Sequence, residues 1–213
     1  MKLNLYTLTK DKTQYGLSHI EIAKEVIAGG ADVVQLRAKV IPDKMIYESA
    51  LQIRRLTQEN KVLFIVNDRI DILLAVKADG VHLGQDDIPL KTARLIIGNE
   101  KIIGISTHSL EQAIKAEGEG ADYIAIGPVF NTSSKKTDLE PLSQELIKKI
   151  VATINIPIVA IGGISLNNLK ELKSIGITNV AVMSAIVDSQ NIKKSTALFK
   201  LNDECKNKYS VSD

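Results

Sequence analysis

Short runs of apolar, often β-branched residues alternate along the whole chain with longer segments whose apolar residues recur at helical spacing. The short runs predict strands at Leu3–Leu8, Val33–Arg37, Leu63–Val66, Gly80–Leu83, Ile102–Ile105, Tyr123–Ile126, Ile158–Ile161 and Val180–Met183. The longer segments predict helices near Ser18–Ala28, Lys44–Glu59, Ile70–Val76, Leu90–Ile97, Leu110–Glu117, Ser143–Ala152, Leu166–Ser174 and Ile192–Asn202. Strand followed by helix throughout implies a parallel sheet covered by helices. Eight such units close into an α/β fold of the (β/α)8 TIM-barrel kind, at the small end of its range of roughly 200–400 residues. An open six-unit Rossmann sheet is the competitor, but no GxGxxG follows the first strand.

Local punctuation agrees with these boundaries. Ser109 stands three residues before Gln112, as in a capping box, and Asp87 and Pro89 precede the fourth helix. Gly29-Gly30, Gly120 and Gly176 follow the first, fifth and seventh helices, where a left-handed residue closes a helix. With no linker or low-complexity tract, residues 1–213 are expected to form one domain, with a polar tail from Asp203 to Asp213 that frays.

Composition narrows the class. The 213 residues are 45% hydrophobic and 24% charged, and the formal net charge of +2 is too small to argue for nucleic acid or a membrane as partner. Cys205 is the single cysteine, so no intramolecular disulfide forms and a reducing, cytoplasmic setting is expected. No secretory signal is expected, because Met1–Tyr6 runs straight into a strand pattern. No stretch approaches the roughly 20 apolar residues of a membrane helix.

In such barrels the chemistry lies on the loops after the strands. In Gln35-Leu36-Arg37-Ala38-Lys39, alternation sends Gln35, Arg37 and Lys39 to one face and Leu36 and Ala38 to the other. The polar set is expected to face the barrel mouth, where two cations call for an anionic ligand or carboxylates; solvated residues at a strand end are the plain alternative. Asp68 and Asp87 follow consecutive strands, a placement that suits magnesium, which needs one or two carboxylates beside water and substrate phosphate. Each could equally cap the helix after it, and the residues leave both readings open. Ser106-Thr107-His108 offers hydroxyls to a phosphate, or a cap to the next helix, and His108 is a general base or simply structural. Thr132-Ser133-Ser134-Lys135-Lys136 is a polar loop, either simply solvated or, after the sixth strand, a lid over the mouth; Gly162-Gly163 could be a simple turn, but with Ser184-Ala185 it is better read as the phosphate site such barrels build after strands seven and eight.

At these residues the chain resembles the thiamine phosphate synthase family, through QLRAK (Gln35–Lys39), NDR (Asn67–Arg69), ADGVHLGQDD (Ala78–Asp87), GISTH (Gly104–His108), ADYIAIGPVFNTSSK (Ala121–Lys135), IPIVAIGGI (Ile156–Ile164) and VAVMSAI (Val180–Ile186). The resemblance implies that Gln35, Leu36, Arg37, Ala38, Lys39, Asn67, Ser106 and Lys135 line the site of a pyrimidine diphosphate. It implies that Thr132, Ser133, Ser134, Gly163, Met183 and Ser184 hold a thiazole phosphate, the last two partly through backbone. Asp68 and Asp87 would ligate magnesium (Mg2+), and Arg37, Lys39 and Lys135 would assist departure of diphosphate in an alkyl transfer. Three positions depart from the family pattern: Lys10 for an aspartate, Ala38 for a frequent acidic residue, and Ser134 for a threonine. A thiazole tautomerase of the sister family is the nearest rival; it typically lacks both aspartates and has a histidine where Pro128 stands. A non-catalytic barrel that binds a phosphorylated ligand would keep Gly163 and Ser184 without needing Asp68, Asp87 or Lys39. Outer helix faces of such a barrel look alike whether solvated or paired, so the pattern predicts no particular oligomeric state.

Overall fold

The eight apolar runs form eight parallel strands, hydrogen-bonded in chain order into a closed barrel in a computed structural model that describes residues 1–132 and 139–204, with side chains placed to Leu201. The strands are β1 (Leu5–Leu8), β2 (Val33–Leu36), β3 (Leu63–Asn67), β4 (Gly80–Leu83), β5 (Ile102–Thr107), β6 (Tyr123–Ile126), β7 (Ile158–Ile161) and β8 (Asn179–Val182). Between them lie α1 (His19–Ala28), α2 (Asp43–Asn60), α3 (Ile70–Val76), α4 (Leu90–Ile97), α5 (Leu110–Gly118), α6 (Gln144–Thr153) and α7 (Leu169–Ser174). After β8 come a short α8 (Ser184–Val187) and α9 (Ile192–Glu204). Pairing of β8 back onto β1, with Tyr6 opposite Ala181, leaves no exposed edge.

The side-chain alternation of each strand produces two cores. Val34, Leu36, Phe64, Val66, Val81, Leu83, Ile103 and Ile124 face outward and pack beneath the helices. Tyr6, Leu8, Val33, Ile65, Tyr123, Val159 and Ala181 fill the barrel itself. The caps expected from sequence are present: Ser109 Oγ accepts the Gln112 amide at 3.2 Å, and Gly30, Gly120 and Gly176 all have positive φ. The fold departs from expectation in a few places. β1 begins at Leu5 rather than Leu3, β8 starts one residue early at Asn179, and α7 starts three residues late at Leu169. α8 was not expected, since four residues are too few to show a helical period. α9 reaches Glu204 and takes in the first residues of the expected tail; residues 205–213, Cys205 among them, lie outside those described.

A recurring clamp closes the amino-terminal end of the barrel. Ala-Asp precedes β2, β4 and β6, as Ala31-Asp32, Ala78-Asp79 and Ala121-Asp122. Each aspartate gives its own amide to a carbonyl on the preceding strand, at Leu5, Phe64 and Ile103, and takes the amide of that same residue on its carboxylate at 2.7–3.0 Å. A helix supplies the balancing cation: Lys200 for Asp32, Arg54 for Asp79, Arg94 for Asp122. At β8 the place is taken by Asn179, which donates to the Ile158 carbonyl. Asp79→Ala would orphan the Phe64 amide and the half-buried Arg54 together, and we expect a loss of about 2 kcal/mol in urea unfolding. Turnover should be unaltered, because the clamp lies at the end of the barrel opposite the strand termini that carry the candidate site.

Candidate active site

Gln35 is the last inward residue of β2, and only 2% exposed. Arg37 and Lys39 continue its alternation beyond the strand, whereas Leu36 lies in the outer core and Ala38 packs against it. Of the segment assigned to the pyrimidine site, Leu36 and Ala38 thus turn their side chains to the helices, and only their backbone is left for a ligand. The cationic turn is held by groups the sequence reading missed. Thr9 Oγ1 accepts the Arg37 amide at 3.2 Å, and both oxygens of Asp11 accept the Lys39 amide, at 3.0 and 3.2 Å. Buried His19 locks the pair, with Nδ1 2.7 Å from Thr9 Oγ1 and Nε2 3.5 Å from Asp11. Burial lowers the His19 pKa, against the opposing pull of Asp11, so the ring is neutral at pH 7.

Asp68 and Asp87 are not helix caps. The residue at the start of α3 is Arg69 and that at the start of α4 is Pro89, and neither helix has a side-chain cap. Asp68 instead has left-handed backbone, φ 59°, and gives its amide to the His82 carbonyl of β4. Its carboxylate accepts from Lys39 Nζ. Asp87 Oδ2 accepts the Gly84 amide at 2.6 Å, which folds the β4–α4 loop back on itself. The two carboxyls are close enough to interact: burial holds Asp68 above the ordinary carboxylate range, Lys39 draws it down, and Asp87 pushes it up. Two neighbouring carboxyls, of which Asp68 also carries Lys39, are a donor set that suits a hard cation. Among the described residues no three His, Cys, Asp or Glu side chains gather into a cage.

Ser106 points inward from β5, next to His82 on β4, and its carbonyl accepts from Gln85. Asn67, the last residue of β3, is partly buried one position before Asp68. His108 has a bracing role: Nδ1 lies 2.5 Å from the Gly127 carbonyl, and its amide donates to Gln112, which ties β5 to the β6 loop.

At the far side of the mouth, Gly162 and Gly163 have φ of 101° and 66°. A Cβ on Gly163 would lie 2.4 Å from the Asn131 carbonyl, so only glycine fits where this loop crosses the β6 loop. Asn168, also missed, fastens the same loop by accepting the Ser165 amide and donating to the Gly163 carbonyl. Met183 and Ser184 follow β8 and open α8, beside the end of β7. Thr132 is partly buried near this loop, while Ser133, Ser134 and Lys135, with most of the expected lid, lie outside the described residues. Lys10 is paired to Asp188 at 2.5 Å, so the cation that departs from the family pattern ties β1 to the turn after α8.

Polar residues at inward positions of a buried strand were the available signal for the missed group. Tyr6, His82 and Tyr123 all meet that description, and all are buried. No helix among the described residues is long and apolar enough to cross a membrane.

A family model described as thiamine monophosphate synthase matches residues 5–186. The thiamine-phosphate synthase of Ruminiclostridium cellulolyticum is 46% identical over 191 residues, covering 90% of either chain. That of Shouchella clausii is 42% identical over 192 residues, covering 90% of this chain and 92% of its own. Among solved structures, the thiamine phosphate pyrophosphorylase of Pyrococcus furiosus superposes with a TM-score of 0.87 at 39% identity, over 95% of this chain and 96% of that one. With the match spanning all eight strands, the chain belongs to the thiamine monophosphate synthase family.

Proposed function

We propose that this protein is a thiamine-phosphate synthase, a transferase that joins 4-amino-2-methyl-5-(diphosphooxymethyl)pyrimidine to 4-methyl-5-(2-phosphoethyl)thiazole and releases diphosphate. The observation that carries the reading is the rim after three consecutive strands, β2 to β4, where Asp68 meets both Lys39 and Asp87, and Gln35 and Arg37 share the β2 end with Lys39. The tautomerase reading has no use for two mutually repelling carboxyls, and the regulatory reading has no use for Lys39 on Asp68.

The reaction breaks the CH2–O bond, whose electron pair leaves with diphosphate, and forms a C–N bond from the thiazole nitrogen lone pair. A ring-stabilised cation forms between the two steps. Asp68 and Asp87 would hold magnesium, which would supply positive charge against the departing diphosphate. Arg37 and Lys39 add positive charge at the same place, with their backbones fixed in advance by Thr9 and Asp11. Lys135 belongs to this basic set by its place in the sequence motif. Gly163, Met183 and Ser184, with Thr132, Ser133 and Ser134, would seat the thiazole phosphate across the mouth. That orients the nitrogen towards the carbon it attacks. The experiment that tests the reading supplies both precursors to the purified protein with magnesium. Thiamine phosphate and diphosphate should appear in equal amounts, and diphosphate should not form without the thiazole; binding without release would favour the regulatory reading.

A further inference from the structure

Five inward side chains on five strands form an unbroken hydrogen-bonded chain through the barrel. Gln35 Nε2 donates to Tyr6 Oη at 2.7 Å, Tyr6 Oη lies 2.9 Å from Tyr123 Oη, Tyr123 Oη 2.9 Å from His82 Nδ1, and His82 Nε2 2.9 Å from Ser106 Oγ. Its two ends, Gln35 and Ser106, belong to the pyrimidine side of the site; the three groups between them have no part in the mechanism above.

The proton count along this chain is constrained. Burial raises the pKa of both phenols, so each keeps its single proton. Tyr6 accepts from Gln35, and its own buried proton is satisfied by donation to Tyr123. Tyr123 must then donate to His82 Nδ1, and a neutral imidazole that accepts at Nδ1 carries its proton on Nε2. His82 thus donates to Ser106, whose own hydroxyl proton remains for another acceptor. At the other end, Gln35 Oε1 is buried and has no hydrogen-bond partner among the described residues. A buried acceptor in that condition calls for a donor from a ligand. The opposite polarity would rotate the amide and reverse all links at once, leaving a donor at Gln35 and an acceptor at Ser106. The fold makes specific room for this chain. A Cβ on Gly104 would lie 2.0 Å from the Tyr123 ring, and His82 stacks on that ring at 5.6 Å.

We propose that Tyr6, Tyr123 and His82 are positioning residues that determine substrate specificity: they fix an acceptor at Gln35 and a donor at Ser106, and so select a ring that bears an amino donor and an acceptor nitrogen over its oxo analogue. The inference rests on the pyrimidine reading of the site. An oxo ring would meet Gln35 Oε1 acceptor to acceptor and could be accommodated only by reversing the whole chain.

Two measurements test it. Nitrogen-15 spectra of the intact protein, with His82 assigned through His82→Gln, should show Nε2 protonated and Nδ1 unprotonated; in Tyr123→Phe that single tautomer should give way to a mixture. In parallel, kcat/KM for the aminopyrimidine diphosphate should be compared with that for its 4-oxo analogue. Tyr123→Phe and Tyr6→Phe each remove one oxygen, and in both the discrimination should fall by about tenfold or more. Turnover of the amino substrate should stay within about tenfold of wild type. Tyr6→Phe carries the test if Tyr123→Phe fails to fold. A wild-type His82 protonated at Nδ1 would overturn the proposal, as would unchanged discrimination in folded variants. The expected tautomer in a protein that turns over neither pyrimidine would instead refute the functional reading, and the ring assignment with it.

Discussion

Asp68→Asn is expected to lower kcat/KM for condensation by on the order of 10²–10³-fold, the scale lost when one preorganised group that stabilises developing charge is removed. The substitution keeps the shape of the side chain, and asparagine tolerates the left-handed backbone, φ 59°, that this position requires. Folding should not suffer. A carboxyl whose pKa is raised on folding favours the folded chain below the ordinary carboxylate range and opposes it as pH rises through the raised value. Burial and Asp87 together put Asp68 in that position despite Lys39, so at neutral pH its ionised form is held at a cost. The variant should therefore melt no lower than wild type at pH 7 while losing turnover. A fall in melting temperature parallel to the fall in activity would mean that Asp68 serves structure. The Lys39 ammonium released by the change is 46% exposed and is readily solvated, so it does not reverse the sign.

Gly104→Ala should be among the most damaging single-methyl changes in the barrel. Its Cβ would fall 2.0 Å from Tyr123 Cζ and 2.4 Å from the phenolic oxygen, in a residue with no exposed surface. The ring has nowhere to go, since Tyr6 meets its edge and His82 its face. We expect a loss of about 3 kcal/mol in stability, from overpacking together with a broken buried hydrogen bond. Equilibrium unfolding measures it directly. Turnover in the surviving folded fraction should fall as well, because Gln35 and Ser106 lose the chain between them; a variant as stable as wild type would show that the inner core can yield at this point.

Much of the fold is legible in the sequence, for a physical reason. Strands buried on both faces read as compact apolar runs, and β4, β6 and β7, with α3 and α4, were located to the residue. The clean alternation at Gln35, Arg37 and Lys39 likewise revealed which side chains face the mouth. What stayed hidden was of two kinds. α8 is a single turn, below the length at which periodicity exists. The rest depends on partners far apart in sequence: Lys39 on Asp68, Asp11 under the Lys39 amide, and above all Tyr6 on Tyr123, 117 residues away. Whether Asp68 and Asp87 cap helices or face each other was equally undecidable from local pattern, because asparagine-like capping positions and metal-ligand positions draw on the same residue type. Backbone geometry excludes the capping alternative by placing Arg69 and Pro89 at the helix starts.

The proposed chemistry turns on one point, that the Asp68–Asp87 pair holds a divalent cation needed for departure of diphosphate. Its most direct test is diphosphate release from the purified wild-type protein at saturating concentrations of both precursors, after exhaustive chelation and then with magnesium returned in steps. Release should stop on chelation and return along a saturating magnesium curve, which Asp68→Asn shifts to higher concentration or abolishes. Release at undiminished speed in the chelated protein would contradict it.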